Sequence, residues 1–192
     1  MKKLFLLGLT VAIATSLQAA GKNARKNVRK VANNQPFELN VAHIHDHHSH
    51  LEQESMTLQI DGKDVTLDIG GLPRVGQEIK DFRKNNKNTL ILHAGDAVTG
   101  TLYYTLFKGI ADAELMNVIN FDAFTLGNHE FDDGNEVLAK FLSALKIPVI
   151  SSNVVPDKGS ILEGKWKPYI VKNVGGEKIG IIGMEVVKKT VE

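Results

Sequence analysis

The chain contains no cysteine among its 192 residues. That absence excludes disulfide bonds, thiolate zinc sites and lipid attachment through an N-terminal cysteine. Aromatic residues make up only 6% of the sequence, yet 43% of the residues are hydrophobic, which suits one globular domain with a packed core. Stability must therefore come from that core and not from covalent cross-links.

A strong net charge is also absent, since the formal charge is +1 at pH 7. Removal of the predicted leader described next would leave 21 basic against 22 acidic side chains. Neither balance gives the broad positive field that attracts nucleic acids. We therefore expect no nucleic acid polymer among the partners of this protein.

The sequence has one long apolar run, and it lies at the start of the chain. Two lysines precede the run at 4–17, and small residues follow at Ala19 and Ala20, which is typical of a secretory signal peptide. The run is shorter than the roughly 20 residues that a membrane-spanning helix needs. We expect removal of residues 1–19, a basic linker over 20–36, no stable membrane span, and a periplasmic or secreted location.

Strand and helix patterns alternate from residue 37 onward. Strands are predicted over residues 37–44, 89–94, 122–126, 148–154, 169–174 and 178–187, a hairpin over 56–69, and helices over 72–84, 103–119 and 138–145. Such alternation predicts an α/β fold, a layered sandwich of mixed, largely parallel sheets flanked by helices. In the second helix, Asp112 and Glu114 are expected to face solvent.

The last predicted strand ends only five residues before the chain does. Nothing follows it that could cover its far end. We therefore expect residues 37–192 to be the N-terminal portion of a longer catalytic domain, incomplete at its C-terminus.

Polar side chains that suit metal binding follow three of these strands. Asp46 and His48 follow the first strand, Asp96 the second, and Asn128 with His129 the third. Because ligands bind beyond the carboxyl ends of parallel strands, we expect these side chains to lie together. Asp46 and His48 are two residues apart, so on an extended segment both would point to one side and bind one ion. Carboxylate, imidazole and amide groups suit hard or borderline divalent cations.

Each of these signals has a simpler interpretation when it is taken alone. The histidine-rich segment 43–50 is also typical of a metal-buffering tract. Asp96 could be a turn or helix-cap residue. Asp132 and Asp133 could be N-cap residues of the next helix, either instead of the orienting role toward His129 or in addition to it. Structural roles are expected for four further residues, namely His43, Asp68, His93 and Asp122.

Taken together, the ordered motifs resemble the metal-binding core of the calcineurin-like metallophosphoesterases. They are Asp46-x-His48, Gly95-Asp96 and Gly127-Asn128-His129-Glu130. Further motifs that narrow the resemblance are the histidine-rich 43–48, Gly70 to Leu72, Gly95 to Gly100, Phe131-Asp132 and Ser152 to Val154. With these, residues 37–192 resemble the exported bacterial 5′-nucleotidases, a group that includes UDP-sugar hydrolases and 2′,3′-cyclic-nucleotide phosphodiesterases.

The resemblance implies a site with two divalent metal ions. Asp46 and His48 would bind the first ion, Asp96 would bridge both, and Asn128 would bind the second. Zinc or manganese is favoured by the mixture of nitrogen and oxygen ligands, with magnesium, calcium or cobalt as alternatives.

The resemblance also implies a reaction, the hydrolysis of phosphate esters of nucleotides. A hydroxide that bridges the two cations would attack phosphorus in line, without a covalent phosphoenzyme. Asn128 and His129 would contact the substrate, His129 would stabilise the phosphoryl transition state, and Asp132 would orient His129.

The sequence departs from the family pattern in two ways. His45 stands where such enzymes often carry Asn, and Ser49 stands where they often carry Gly. No histidine follows His129 in the sequence, so the later histidine ligands of the family are not among these residues. We expect those ligands, and the base-recognising C-terminal domain of the family, to belong to further sequence. Two rival hypotheses therefore stay open: a non-catalytic exported metal-binding protein that uses segment 43–50, and an inactive fragment.

Overall fold

The computed structural model describes residues 36–187. The predicted leader and, except for Pro36, the predicted linker lie outside the described residues. The elements in chain order are β1 (Asn40–Ile44), β2 (Glu54–Ile60), β3 (Lys63–Ile69), α1 (Leu72–Asn85), β4 (Thr89–His93), α2 (Leu102–Phe107), α3 (Ile110–Ile119), β5 (Ala123–Thr125), a 3₁₀ turn (His129–Phe131), α4 (Gly134–Ala144), β6 (Val149–Ile150), β7 (Tyr169–Val174) and β8 (Glu177–Ile182).

Four of the strands form one parallel sheet in the order β1-β4-β5-β6. Helices lie between successive strands of this sheet, as the alternating pattern predicted. The remaining strands form two antiparallel pairs, β2 with β3 and β7 with β8. The predicted α/β fold with a largely parallel sheet is confirmed. Because the four strands are parallel, their carboxyl ends share one edge of the sheet.

The two faces of the parallel sheet are covered by different elements. Alternate residues of a strand point to opposite faces, so Ile91 of β4 packs in the larger core with Met116 of α3 and Phe141 of α4. Its neighbour Leu90 packs in a second cluster with Ile181 of β8. Helices therefore cover one face, and in the described part of the chain the β7–β8 hairpin covers the other.

Two acidic residues have the structural roles that the sequence predicted for them. Asp122 accepts a hydrogen bond from the Ile91 amide at 2.7 Å and pairs with Lys172 of β7, which ties that hairpin to the sheet. Asp68 of β3 accepts the Ser55 hydroxyl at 2.5 Å across the small hairpin. Neither residue contributes to the site described below.

The predicted hairpin over residues 56–69 is confirmed and begins two residues earlier, at Glu54. Its turn residues Asp61 and Gly62 both have left-handed backbone, with φ of 50° and 75°. Two successive residues of this kind suit the tight turn that joins twisted antiparallel strands. The local Asp-Gly signal was therefore sufficient to place this element.

The single helix predicted over 103–119 is wrong, because the chain breaks it at Lys108 and Gly109. Both residues have positive φ, 49° and 85°. A Cβ atom on Gly109 would lie 2.9 Å from the Phe141 ring, so a glycine is needed where the backbone passes α4. The break lets α2 and α3 take different directions around the core.

The expectation that Asp112 faces solvent is also wrong. Its side chain has no exposed surface and accepts hydrogen bonds from His47 and Ser49. Three predicted strands are shorter by at least three residues, since β1 begins only at Asn40, β6 covers only Val149–Ile150 and β8 ends at Ile182. No helix among residues 36–187 is long and apolar enough to cross a membrane.

Candidate functional site

The loops that follow β1 and β4 run side by side beyond the edge of the sheet. The amide of Asp46 donates to the Gly95 carbonyl at 3.0 Å, and the amide of His48 donates to the Asp96 carbonyl at 3.2 Å. The amide of Ser49 donates a third hydrogen bond, to the Ala97 carbonyl at 2.9 Å. The pairing of the two strands thus continues into the loops and fixes their register.

The loop after β1 is not the extended segment that the sequence analysis assumed. Asp46, His48 and Ser49 have left-handed backbone, with φ of 52°, 45° and 55°. For residues with a Cβ atom this conformation costs about 1–2 kcal/mol each. Asp46 and His48 nevertheless converge as predicted, since Nε2 of His48 lies 3.6 Å from Oδ1 of Asp46.

Two glycines let the loops after β4 and β5 approach each other. A Cβ atom on Gly95 would lie 2.6 Å from the Gly127 nitrogen, and one on Gly127 would lie 2.5 Å from the Asp96 nitrogen. These distances are too short for real side chains. Steric exclusion therefore explains why the Gly95-Asp96 and Gly127-Asn128 motifs both contain glycine: any side chain at these two positions would collide with the neighbouring loop.

Glu130 links the loops that follow β4 and β5. Its carboxylate accepts the amides of Gly127 at 2.5 Å, Ala97 at 2.7 Å and Asp96 at 3.0 Å, and the side chain is buried. Burial raises the pKa of Glu130 to about 7, although the three hydrogen bonds act to lower it. Glu130 belongs to the predicted Gly127-Asn128-His129-Glu130 motif but had no predicted role; its place beside His129 was the available signal.

Three of the predicted site residues form a cluster that could hold a metal ion. His48, Asp96 and His129 each offer one ligand atom, and these atoms lie within 4.8 Å of one another. Asp46 adjoins the cluster through His48. Asn128 stands at the start of the 3₁₀ turn, partly exposed and next to His129. The three loops therefore bring together side chains that lie more than 80 residues apart in sequence.

The chemistry of this cluster fits a divalent cation. Nδ1 of His48 lies 3.1 Å from the Val98 carbonyl. A hydrogen on Nδ1 would be donated there, leaving the Nε2 lone pair on the side of Asp46. The Asp96 carboxylate lies with the two imidazoles of His48 and His129 in this cluster. The Asp46 carboxylate adjoins the cluster, and a hydrogen bond from His45 lowers the pKa of Asp46. Carboxylate and imidazole groups together suit a borderline divalent cation.

The structure also pairs the two residues that the sequence predicted as catalytic. Nδ1 of His129 lies 2.6 Å from Oδ2 of Asp132. The His129 ring meets the His48 ring edge-on at 5.0 Å. Asp133, and not Asp132, stands at the N-cap position of α4, where its side chain makes no capping hydrogen bond. The alternative of Asp132 as a simple helix cap is therefore disfavoured, and His129 lies within reach of a cation held by its neighbours.

The histidines of segment 43–50 do not behave as one tract. His47 points inward and has hydrogen-bond partners at both ring nitrogens. His43 and His45 stack on each other at 5.9 Å, and His50 pairs with Glu54 at 2.7 Å. These different environments argue against a metal-buffering tract. His45 and Ser49, the two departures from the family pattern, both make contacts, with Asp46 and Asp112 respectively.

One acidic residue near the site was missed by the sequence analysis. Glu185 follows β8, and the Asn153 side chain binds its backbone on both sides, accepting its amide at 2.8 Å and donating to its carbonyl at 2.5 Å. Burial raises the pKa of Glu185; the charge of Asp96 raises it further, and His129 lowers it. Glu185 thus lies within electrostatic reach of the cluster. Its place after an apolar strand, like that of Asp96, was the one sequence signal.

The model of the calcineurin-like phosphoesterase family matches residues 39–188. The NAD 5′-nucleotidase of Haemophilus influenzae is 58% identical over 154 residues, which are 80% of this chain and 26% of that relative. A probable 5′-nucleotidase of Treponema pallidum is 55% identical over 156 residues, which are 81% of this chain and 26% of that protein.

Solved structures give the same result. The Haemophilus influenzae NAD nucleotidase superposes with a TM-score of 0.76 at 57% identity, over 80% of this chain and 27% of that one. A 5′-nucleotidase precursor from Thermus thermophilus superposes with a TM-score of 0.70 at 39% identity, over 77% and 28%. This chain therefore spans 26% of the length of the two curated relatives.

Proposed function

The chain belongs to the calcineurin-like phosphoesterase family, within its 5′-nucleotidase group, and from that membership we propose that it carries the metal-binding part of a hydrolase that cleaves phosphate esters of nucleotides. One observation carries the proposal. His48, Asp96 and His129 meet at the edge of the sheet, and Asp132 holds the His129 ring. A histidine backed by a carboxylate beside a cation site is suited to phosphoryl transfer.

Under this proposal, Asp46, His48, Asp96 and Asn128 hold two divalent cations, with zinc or manganese favoured over magnesium, calcium or cobalt. The bound cations would supply Lewis-acid activation of water and neutralise charge on the phosphoryl oxygens. The protein's own contribution is to fix the ligand atoms before binding. The position of the Asp46 carboxylate supports this, because its Oδ1 lies 3.6 Å from Nε2 of His48, one of the three residues that meet at the edge of the sheet.

His129 acts on the substrate in this scheme. Its Nδ1–H donates to Asp132, which fixes the orientation of the ring. When the ring is protonated at both nitrogens, Nε2 also carries a hydrogen, which it donates as a hydrogen bond or a proton to an oxygen of the phosphoryl group or of the leaving group. The ordinary pKa of imidazole, near neutrality, suits either role.

The substrate is proposed to be a nucleoside 5′-monophosphate or a dinucleotide such as NAD. The support is the name of the Haemophilus influenzae relative, an NAD 5′-nucleotidase. Residues that recognise the base are proposed to lie in sequence beyond the part that this chain shares with its relatives. We also propose export to the periplasm or the medium, on the strength of the leader pattern at 1–19.

The test is a chimera in which this chain replaces the matching N-terminal part of the Haemophilus influenzae enzyme. With added manganese, phosphate release from 5′-AMP and cleavage of NAD to its two nucleoside monophosphates are measured, beside the same assays on the isolated chain. We expect His129→Ala to lower kcat by about 100-fold or more, because a positioned acid-base group contributes that much. Asp132→Asn should lower kcat less, since the imidazole remains.

The matched control is His50→Gln, an exposed histidine that pairs with Glu54 outside the cluster, which should leave kcat unchanged. Activity that survives in His129→Ala would contradict the proposed role. The manganese Kd of His129→Ala distinguishes the two roles open to His129. Loss of a catalytic group should leave the Kd unchanged, whereas loss of a metal ligand should raise it. Activity of the chimera combined with an inactive isolated chain would support the need for further sequence.

The rival of a non-catalytic metal-binding protein predicts another outcome. Manganese binding would then depend on the exposed His43 and His45 and not on Asp96. Replacing these two histidines with Gln, in comparison with Asp96→Asn, therefore distinguishes the hypotheses. The commitment of His47 to buried hydrogen bonds favours the enzyme.

A further inference from the structure

A chain of hydrogen bonds lies buried beneath the candidate metal site. His47, His93 and Asp112 form it, and Ser49 joins it at one end. Nδ1 of His47 lies 2.8 Å from Nε2 of His93, and Nε2 of His47 lies 3.1 Å from Oδ1 of Asp112. The Ser49 hydroxyl donates to Oδ2 of the same aspartate at 3.1 Å. His93 and Asp112 are buried almost completely, with 1% and 0% of their surfaces exposed.

The direction of each hydrogen bond follows from one end of this chain. The amide of Gly95 donates to Nδ1 of His93 at 3.2 Å, so that nitrogen carries no hydrogen. His93 is therefore neutral and donates from Nε2 to Nδ1 of His47. His47 must in turn carry its hydrogen on Nε2, and it donates that hydrogen to Asp112. Burial lowers the pKa of His93, which agrees with a neutral ring.

The network connects the two loops that carry the predicted ligands. His47 lies between Asp46 and His48, both of which have left-handed backbone. Gly95, at the other end, immediately precedes Asp96. Unfavourable backbone conformations persist where the surroundings determine them in several ways at once. His47 is hydrogen-bonded at both ring nitrogens, so it helps to hold its neighbours Asp46 and His48 in their left-handed conformation.

We propose that His47, His93 and Asp112 are positioning residues, which hold the Asp46–His48 loop and the Asp96 loop in the geometry that binds a divalent cation. The inference rests on the proposed function, since it takes the cluster at this edge to be a metal site. None of the three residues is a predicted ligand. Their effect passes through the backbone of the ligand-bearing loops.

The first test measures manganese binding to the full chain by titration calorimetry. His93→Phe removes the link to His47 but keeps an aromatic ring between Phe121 and Phe124, which meet His93 edge-on at 5.3 Å each. We expect its Kd to rise about tenfold, the lower end of the effect of losing a supporting partner of a metal ligand. Asp112→Ala should have a similar or larger effect.

Two controls separate positioning from a loss of stability. Asp112→Asn can still accept from His47 and donate to Ser49, so its Kd should stay within about twofold of the wild type. Leu142→Ala removes a buried side chain of α4 outside the network, so it should lower the melting temperature and leave the Kd unchanged. If Asp112→Ala does not fold, His93→Phe carries the test.

A second measurement needs no cation. Nitrogen-15 NMR of the imidazole rings should show His47 and His93 both as Nε2–H tautomers in the wild type. A His93 ring protonated at Nδ1 would overturn the network. Wild-type affinity in both His93→Phe and Asp112→Ala would overturn positioning alone, whereas a wild-type chain that binds no manganese would overturn the proposed metal site as well.

Discussion

Two neighbouring stretches of this chain, the loop after β1 at 45–51 and the β2–β3 hairpin at 54–69, are held in place by opposite means. The loop has three residues with left-handed backbone within four positions, and its partners come from the β4 loop and from α3. The hairpin has its two left-handed residues at its turn, and its strands pair with each other from Glu54↔Ile69 to Ile60↔Lys63. One structure is determined from a distance, the other locally.

The difference shows where strain can be kept. In the hairpin, an Asp-Gly pair takes the left-handed conformation at small cost, and every residue of β2 is exposed. In the loop, residues with larger side chains take the same conformation, and buried hydrogen bonds compensate for it. Changes to the residues that hold this loop, or that hold the β4 loop paired with it, should therefore have larger effects than changes within the hairpin.

The largest effect is expected from Glu130→Ala. This change leaves the buried amides of Gly127, Asp96 and Ala97 without their acceptor. The free energy of unfolding should therefore fall by about 3 kcal/mol. The loss is no larger because the variant no longer has to bury a carboxylate. Urea unfolding followed by the fluorescence of the single tryptophan, Trp166, measures it. Glu130→Gln keeps one acceptor oxygen and should lose about 1 kcal/mol. Equal stability of all three proteins would mean that water replaces the carboxylate.

An intermediate effect is expected from Gly127→Ala, because the new Cβ atom would press on the Asp96 nitrogen. Such a clash costs about 1–3 kcal/mol and should separate the two ligand loops, so manganese affinity should fall together with stability. Gly62→Ala at the hairpin turn is the matched control. It meets no atom within 4 Å, although its φ is 75°. It should therefore cost about 1 kcal/mol of backbone strain and leave the manganese affinity unchanged. A similar loss of affinity in both variants would contradict the contrast between loop and hairpin.

The smallest effect is expected from Thr57→Val combined with Thr66→Val. The two hydroxyls lie 2.9 Å apart across the hairpin, fully on the exposed side. Since valine favours strands as well as threonine does, the loss should stay within about 0.5 kcal/mol. Thermal unfolding by circular dichroism would record it, and a loss above 2 kcal/mol would show that the hairpin depends on contacts beyond its own strands.

Much of the fold could be predicted because its signals are local. The apolar pattern of β4, the stripe of α1 and the Asp-Gly turn each depend on neighbours within a few residues. The errors fell where distant contacts decide. Gly109 divides a helix because Phe141 lies beside it. Asp112 points inward because its carboxylate accepts hydrogen bonds from His47 and Ser49.

The candidate site divides in the same way. The positions of Asp46, Asp96 and His129 after successive strands predicted that they would meet, because parallel strands end at one edge. The roles of Glu130 and Glu185 were not predicted. Glu130 is a buried carboxylate that accepts from three amides, and Glu185 lies near the site, but neither position has a periodic sequence signal. Only the folded chain shows which groups surround them.

The sequence by itself determined the order of strands and helices, the edge of the sheet where polar side chains gather, and the chemistry of those side chains. Tertiary structure alone decided the left-handed path of the loop after β1, the inward turn of Asp112 and the direction of the His93–His47–Asp112 hydrogen bonds. The physical reason is range. Patterns of hydrophobicity and turn residues act over a few positions, whereas a buried polar group takes its conformation from whichever partner the fold brings within hydrogen-bonding distance.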